Sequence, residues 1–246
     1  MNKPKMIIFD YGHTLLCEPD YNLLRATQAV MQYAVSNPRN LSAEQVCEFS
    51  SYLWHEICGP SRREGIELHN DHFERLLYEY LQIELSISPA EIGRVFFNGV
   101  STGEKMPNIE VVLDYLHQNG IRSGVISNIS FSEETLRERI NSFLPDNRFE
   151  FIIASSEYMV RKPNPLIFEL ALNKANLSAD EVWYCGDNPV ADIDGAAGVG
   201  IFPVWYRSGI TNEIRDKSLD TVVPSVEHLY ISDWLELIAA LEGLRG

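Results

Sequence analysis

The fold of this chain is decided by residues 6–14, which read MIIFDYGHT. Four consecutive apolar residues, Met6 to Phe9, are typical of a strand that is buried on both faces of a parallel sheet. Asp10 follows this run directly, and Gly12 indicates a tight loop two positions later. The stretch therefore predicts the first strand of an α/β domain, with a carboxylate where the strand ends.

Residues 17–102 have a helical pattern throughout. Apolar residues recur at the helical period in residues 23–34 and again in residues 73–81. Breaker residues divide this zone into about four predicted helices; they are Pro38, Gly59-Pro60 and residues 86–89. We therefore predict a helical domain over residues 17–102, inserted into the α/β domain.

From Pro107 onward, predicted strands alternate with predicted helices. After a helix over residues 108–119, the strands are expected at residues 122–126, 149–153, 182–185 and 201–205. Such alternation predicts right-handed crossovers and a doubly wound parallel sheet. The expected division is an α/β core of residues 1–16 and 103–246, with the helical domain between the two parts.

The composition excludes several classes of function. The 246 residues include 20 Lys and Arg against 35 Asp and Glu, for a net charge of -15, which disfavours electrostatic binding to nucleic acid or to an anionic membrane. The chain lacks an apolar stretch of about 18 residues, and Asp10 interrupts the first apolar run before a signal-peptide core is complete. The four cysteines have no C-x-x-C spacing. We therefore expect a cytoplasmic protein with reduced thiols.

Polar residues follow the predicted strands, at the edge where ligands bind in a doubly wound sheet. They are Asp10, Ser127 with Asn128, and Asp187 with Asp192, and Lys162 lies in a loop before a helix. Carboxylates suit a nucleophile or a magnesium ion, a hydroxyl suits an anion, and a lysine neutralises charge. This combination of groups is typical of phosphoryl transfer.

These residues resemble the motifs of the haloacid dehalogenase superfamily, in the subgroup with a helical cap of the C1 type inserted after the first motif. Residues 10–16 are similar to motif one, residues 125–128 to motif two, residues 161–168 to motif three, and residues 186–196 to motif four. The similarity extends over the whole chain, with all four motifs in order. It implies a Rossmann-like core and a cap that selects the substrate.

The resemblance also implies a role for each matching residue. Asp10 is expected to attack phosphorus and form an aspartyl-phosphate, Ser127 to hydrogen-bond the phosphoryl group, and Lys162 to pair with Asp10. Magnesium is expected to be held by Asp10, the Gly12 carbonyl, Asp187 and Asp192. Asn128, beside Ser127, is a further candidate for contact with a small phosphorylated substrate.

One position departs from the family pattern. Phosphatases of this superfamily usually have an aspartate two residues after the nucleophile, where this chain has Gly12. Glycine cannot transfer a proton, and general acid–base catalysis typically contributes about a hundredfold to ten-thousandfold in rate. His13 is a candidate substitute acid at the substrate, because the free pKa of histidine lies near neutrality.

Three functions remain open at this point: a magnesium-dependent phosphatase, a phospholigand- or protein-binding descendant without activity, and a dehalogenase. The retained pair Asp187 and Asp192 disfavours the dehalogenase, because extra acids beside Asp10 would repel it without a cation. Gly12 is the feature that favours the inactive descendant. In the helical domain, Arg62 and Arg63 are predicted to lie on a turn and to bind an anionic group of the substrate.

Overall fold

The computed structural model describes residues 3–210 and 221–244, and these contain ten strands. The strands are β1 (Met6–Phe9), β2 (Leu16–Cys17), β3 (Ala34–Ser36), β4 (Glu84–Leu85), β5 (Glu104–Lys105), β6 (Arg122–Ser127), β7 (Ile152–Ala154), β8 (Val182–Gly186), β9 (Phe202–Tyr206) and β10 (Leu229–Ile231). Six of them form one sheet in the order β10-β9-β8-β1-β6-β7, and every pair in it is parallel. The predicted parallel sheet is confirmed.

The helices cover both faces of this sheet. They are α1 (Leu23–Met31), α2 (Ala43–Leu53), α3 (Gly59–Arg63), α4 (Asn70–Leu81), α5 (Pro89–Val100), α6 (Ile109–Gln118), α7 (Glu133–Phe143), α8 (Pro165–Ala175), α9 (Gly195–Gly198) and α10 (Trp234–Gly243). Successive residues of β1 alternate between two cores, because side chains alternate across a strand. Ile7 and Phe9 pack with α6, α7 and α10, whereas Met6 and Ile8 pack with α8.

Helices α1 to α5 and the sheet of β3 and β4 lie within residues 17–102, which we call the helical segment. A separate hydrophobic cluster forms within it, and this cluster includes Val30, Val46 and Leu77. The chain enters and leaves the helical segment beside β2 and β5, which pair antiparallel. The division of the chain into domains at 16/17 and 102/103 stays a prediction.

The helix break predicted at Gly59-Pro60 is wrong. The helical backbone continues from α2 through a π-helical turn, Trp54–Cys58, directly into α3. The Gly59 N–H donates to the Trp54 carbonyl in the wide spacing of that turn. Pro60 follows in the first turn of α3, and because it has no N–H it donates no hydrogen bond back to the π-helical turn. The turn predicted for Arg62 and Arg63 is consequently the end of a helix.

Other predicted elements differ only at their ends. The strand expected at residues 149–153 begins later, as β7. Phe149 and Phe151 are both buried but belong to different cores, whereas residues two apart in a strand share one face. None of the helices in the described ranges 3–210 and 221–244 is long and apolar enough to cross a membrane.

The loop after β1 is supported from below by Trp234 at the start of α10. This side chain is fully buried, stacks on Tyr206 at 4.3 Å between ring centroids, and meets Phe9 edge-on at 5.5 Å. Its indole N–H donates to the Thr14 carbonyl at 3.2 Å. Trp234 therefore joins the sheet, α10 and the loop that follows Asp10.

We predict that Trp234→Ala lowers the free energy of unfolding by about 3–5 kcal/mol, because it leaves a large cavity and an unpaired Thr14 carbonyl. The measurement is chemical denaturation followed by circular dichroism. Leu235→Ala is the matched control, since Leu235 is 47% exposed on the same helix, and it should cost less than about 1 kcal/mol. Equal losses for the two variants would contradict this account of the loop.

Candidate active site

Asp10 lies at the carboxyl end of the central strand, between β6 and β8. Its backbone N–H donates to the Cys185 carbonyl at 2.8 Å, which continues the strand pairing up to the carboxylate. The loop then closes tightly, because the N–H groups of Leu15 and Leu16 both donate to the Tyr11 carbonyl. Asp10 is 8% exposed at the base of a cavity of about 210 Å³. The sheet order thus places this acid at the centre of the edge where ligands bind.

The ammonium of Lys162 lies between two carboxylates. Its Nζ is 2.6 Å from Asp10 Oδ1 and 2.7 Å from Asp192 Oδ1, and the three side chains are almost fully buried. Lys162 Nζ also donates to the Tyr184 hydroxyl at 2.6 Å and to the Ile126 carbonyl at 3.0 Å. A buried cation is stable only when it is paired and hydrogen-bonded, and here both conditions are met.

The pKa values of Asp10 and Lys162 are set by burial and by the charges beside them. Burial raises the pKa of Asp10 to about 6, against the opposing effect of the Lys162 ammonium, and the Asp192 carboxylate raises it further. Burial on its own would lower the pKa of Lys162, but the carboxylates of Asp10 and Asp192 outweigh it and raise that pKa. Lys162 therefore carries its charge, and it holds Asp10 by an ion pair.

The loop that carries Lys162 is fixed by Asn128. The Asn128 side-chain amide donates to the Lys162 carbonyl at 2.9 Å, and its oxygen accepts from the Lys162 N–H at 2.8 Å. Both polar atoms of Asn128 are thus used to position Lys162, and its predicted contact with substrate stays a prediction. Ser127, at the end of β6, lines the same cavity as Asp10 and Lys162.

Three carboxylates are close enough to share a metal ion. One oxygen each from Asp10, Asp187 and Asp192 lies within 4.8 Å of the other two, and Gly12 lines the same cavity. An all-oxygen donor set of this kind suits a hard cation such as Mg²⁺. Both Asp192 oxygens are already engaged, Oδ1 by Lys162 and Oδ2 by the Asn188 N–H at 2.9 Å. These contacts reduce the capacity of Asp192 for direct coordination of a metal ion.

Gly186 and the packing of the loop after β8 leave room for these acids. A Cβ atom added at Gly186 would lie 2.4 Å from the Asp192 carboxylate, so glycine is required at this position for Asp192 to reach Lys162. The backbone of Asp187 is held by the Trp205 indole, whose N–H donates to the Asp187 carbonyl at 3.0 Å. The glycine and the acids of this loop therefore form one packed unit.

The other predicted contacts lie outside this cavity. His13 has a left-handed backbone (φ 53°) and is not among the described residues that line it. Arg63 is exposed on α3. Arg62 bonds Glu67 through its Nε at 3.1 Å and stacks over Trp54 at 4.7 Å. The predicted roles of these three residues at the substrate stay predictions.

Sequence reasoning missed the connection between the helical segment and the lysine loop. Residues 65–67 pair antiparallel with residues 159–161, through hydrogen bonds from the Glu67 N–H to Met159 and from the Arg161 N–H to Gly65. The Glu67 side chain is 1% exposed and bonds Arg62, Arg161 and the Ser155 hydroxyl. Arg161 precedes Lys162 in the chain and could have been suspected, whereas no local pattern marks Glu67.

A second and larger cavity, of about 590 Å³, lies between the helical segment and the loop after β6. Asn128 and Ile129 line the cavity at Asp10, and the next two residues, Ser130 and Phe131, line the second one. Arg62 contributes to its wall. Two buried polar side chains of α4, Asn70 and Glu74, also face it. The two cavities are thus neighbours along one short loop.

The comparison with known families identifies the class of this protein. The family model for haloacid dehalogenase-like hydrolases matches residues 7–205, which include most of β1 and all the strand-end acids described above. The chain therefore belongs to the haloacid dehalogenase-like hydrolase family.

Individual relatives are more distant. The glyceraldehyde 3-phosphate phosphatase of Pyrococcus abyssi is 36% identical over 108 residues, 43% of each chain. The enzyme of the same name from Pyrococcus furiosus is 28% identical over 71% of this chain and 70% of its own. A solved structure of a 2-haloacid dehalogenase from Pseudomonas syringae pv. Tomato DC3000 shares the fold, with a TM-score of 0.62 at 21% identity and coverage of 98% and 99%.

Glu74 gives the helical segment a testable dependence on pH. Burial raises its pKa from 4.5 to about 8, and the adjacent Asn70 amide opposes this shift without reaching hydrogen-bond geometry. An acid with a raised pKa stabilises the fold while it is protonated. This stability is fully present below pH 4.5 and is lost as the pH rises to about 8.

We predict that Glu74→Gln removes this part of the pH dependence. Between pH 5 and pH 8 the free energy of unfolding of the wild type should fall relative to the variant by up to about 1.4 kcal/mol per pH unit. Denaturant titrations at several pH values measure the difference. The control is Glu79→Gln, at an exposed position of the same helix, which should follow the wild type. A parallel course of wild type and Glu74→Gln would contradict the prediction.

Proposed function

We propose that this hydrolase is a Mg²⁺-dependent phosphatase that acts on a small phosphorylated molecule through an aspartyl-phosphate at Asp10. The observation that carries the proposal is the ion pair of Asp10 and Lys162 beside the carboxylates of Asp187 and Asp192. Phosphatases of small phosphorylated molecules are among its relatives by name, which supports the same substrate class. We also expect it to act in the cytoplasm.

In this proposal, Asp10 is the nucleophile and Lys162 orients it. Lys162 holds Oδ1, so Oδ2 is the oxygen that attacks phosphorus. The bond from phosphorus to the ester oxygen breaks, and the leaving group departs with the electron pair. The Ser127 hydroxyl donates to the phosphoryl oxygens, and water then hydrolyses the aspartyl-phosphate to phosphate and free Asp10. Lys162 and Ser127 thus stabilise the charge that develops during transfer.

Mg²⁺ fits the acidic part of this site. Asp10, Asp187 and the Gly12 carbonyl are its proposed ligands, with Asp192 acting directly or through water. When bound, the ion would offset the mutual repulsion of the carboxylates and the phosphoryl group. Asp192 contributes in either case, because it shares Lys162 with Asp10 and so keeps the ammonium charged.

The missing proton donor determines which substrates suit the site. Position 12 has open space, since a Cβ atom there would meet no other atom within 4 Å. Crowding at this position therefore does not explain why the chain has no acid there. Leaving groups that are stable as anions need no proton, so they are the ones this site can release readily.

Two alternatives remain from other classes of function. A phospholigand- or protein-binding descendant without activity is favoured by Gly12, because glycine has no titratable side chain to act as the general acid. A dehalogenase is disfavoured by Asp187 and Asp192, which an ester mechanism at carbon does not require.

We further propose that the helical segment is a cap that selects the substrate, with the chain divided at 16/17 and 102/103.

Magnesium binding is the first test. We expect isothermal calorimetry to detect Mg²⁺ binding to the wild type, and Asp187→Asn to weaken it by at least about tenfold, because a negatively charged ligand is lost. Asp180→Asn is the control, since it makes the same change of charge at an exposed position, and its affinity should be unchanged. Equal affinity for wild type and Asp187→Asn would remove the proposed metal site.

The second test concerns Gly12. We expect the wild type to hydrolyse aryl and acyl phosphates far better than alkyl phosphates, and Gly12→Asp to narrow this gap. The gain should approach about a hundredfold for alkyl esters and be smaller for aryl esters, because a weakly basic leaving group gains little from an acid. Steady-state kinetics measures both, with Asp10→Asn as the inactive control. A folded, magnesium-binding Gly12→Asp protein without activity would favour the binding descendant.

A further inference from the structure

The second cavity is large, and five aromatic side chains form part of its walls. Its aromatic lining consists of Tyr21, Trp54, Phe73, Phe96 and Phe131. Trp54 and Phe73 meet edge-on at 5.3 Å between centroids, so these faces are held by packing. Ser51 and His55, which are exposed, also line the cavity and connect it with solvent. A pocket of this kind binds a flat apolar group by burying it and by ring contacts.

Two polar atoms in this cavity lack a protein partner. Asn70 Nδ2 and Glu74 Oε2 are buried and have no hydrogen bond to any described residue, and the two side chains are 4% and 2% exposed. An unsatisfied buried polar group is costly, so it indicates a ligand that completes its hydrogen bonds. The amide of Asn70 and the carboxyl group of Glu74 can together hydrogen-bond a polar substituent on the ring of a ligand.

The cavity lies beside the catalytic one, along the loop from Asn128 to Phe131. The Ser130 carbonyl accepts from the Asn70 N–H at 2.8 Å, which ties the start of α4 to this loop. A molecule with its phosphoryl group at Asp10 would therefore have the second cavity next to its leaving group. Gly12 independently favours leaving groups that depart as stable anions, and aryl oxides are such anions.

Resting on the proposed function, we propose that the second cavity receives the leaving group, and that the substrate is a phosphate ester of an aromatic or heteroaromatic alcohol. The ring lies among the aromatic walls, and its polar substituent bonds Asn70 and Glu74. On attack by Asp10, the electron pair of the phosphorus–oxygen bond stays on the aryl oxygen. The aryl oxide then takes a proton from water, so no acid at position 12 is required.

Two matched esters test the size and character of the cavity. Phenyl phosphate and naphthyl phosphate have leaving groups of similar acidity, but only naphthyl adds a second ring. We expect kcat/KM for naphthyl phosphate to be higher by about tenfold, because the extra ring is buried. Ser50→Trp, which fills the cavity from α2, should abolish this preference. Glu48→Trp, exposed on the same helix and outside the cavity lining, should keep it.

Binding of the free alcohols tests the cavity without chemistry. Calorimetry should show that naphthol binds to the wild type and to Glu48→Trp. Binding should be lost in Ser50→Trp and in Ser51→Trp, which is a second filling variant at the exposed rim of the cavity. For the polar pair, p-hydroxybenzamide should bind about tenfold more tightly than p-cresol. This difference should disappear in Glu74→Leu and persist in Glu74→Gln.

The outcomes separate the two proposals. Equal kcat/KM for phenyl and naphthyl phosphate, or a preference that survives both filling variants, would overturn the inference and leave the phosphatase intact. If the wild type hydrolyses neither ester but binds naphthol, and the filling variants abolish that binding, the proposed phosphatase activity would be overturned. The cavity could then no longer be assigned to a leaving group. No binding of naphthol together with hydrolysis of small alkyl phosphates would overturn the inference alone.

Discussion

The buried ammonium of Lys162 is the interaction on which the rest of the site depends. Removing a cation from water costs several kcal/mol, and only close and complete pairing offsets this cost. Asp10 and Asp192 provide the pairing, and with the Tyr184 hydroxyl and the Ile126 carbonyl four acceptors surround the three N–H groups of the ammonium. Each partner comes from a different strand or loop, so the ion pair forms only when the whole sheet edge is assembled.

The surrounding structure holds this edge in position. Asn128 fixes the backbone of Lys162, Gly186 leaves room for the Asp192 carboxylate, and Trp234 supports the loop after Asp10 from beneath the sheet. Rigid elements with packed supports keep a catalytic group within the narrow range of geometry that chemistry needs.

The parts of this design that are local in sequence were predictable. The run Met6–Phe9 ahead of an acid, and the later alternation of strands and helices, predict the parallel sheet and the edge where Asp10 lies. The pairing of Glu67 with Arg161 was not predictable, because it joins residues 94 apart and has no local pattern. Gly59-Pro60 misled for a different reason: these residues continue the helix as the start of α3, directly after a π-helical turn, and the wide hydrogen bonds of that turn leave no trace in hydrophobic periodicity.

The short pairing between residues 65–67 and 159–161 has a mechanical consequence. It attaches the helical segment to the strand-like end of the Lys162 loop, immediately before the ammonium that orients Asp10. While those hydrogen bonds hold, the segment cannot swing as an independent body: any displacement either breaks them or pulls the lysine loop with it. A movement of the helical segment that opens the cavity at Asp10 would therefore also shift the lysine that pairs with Asp10.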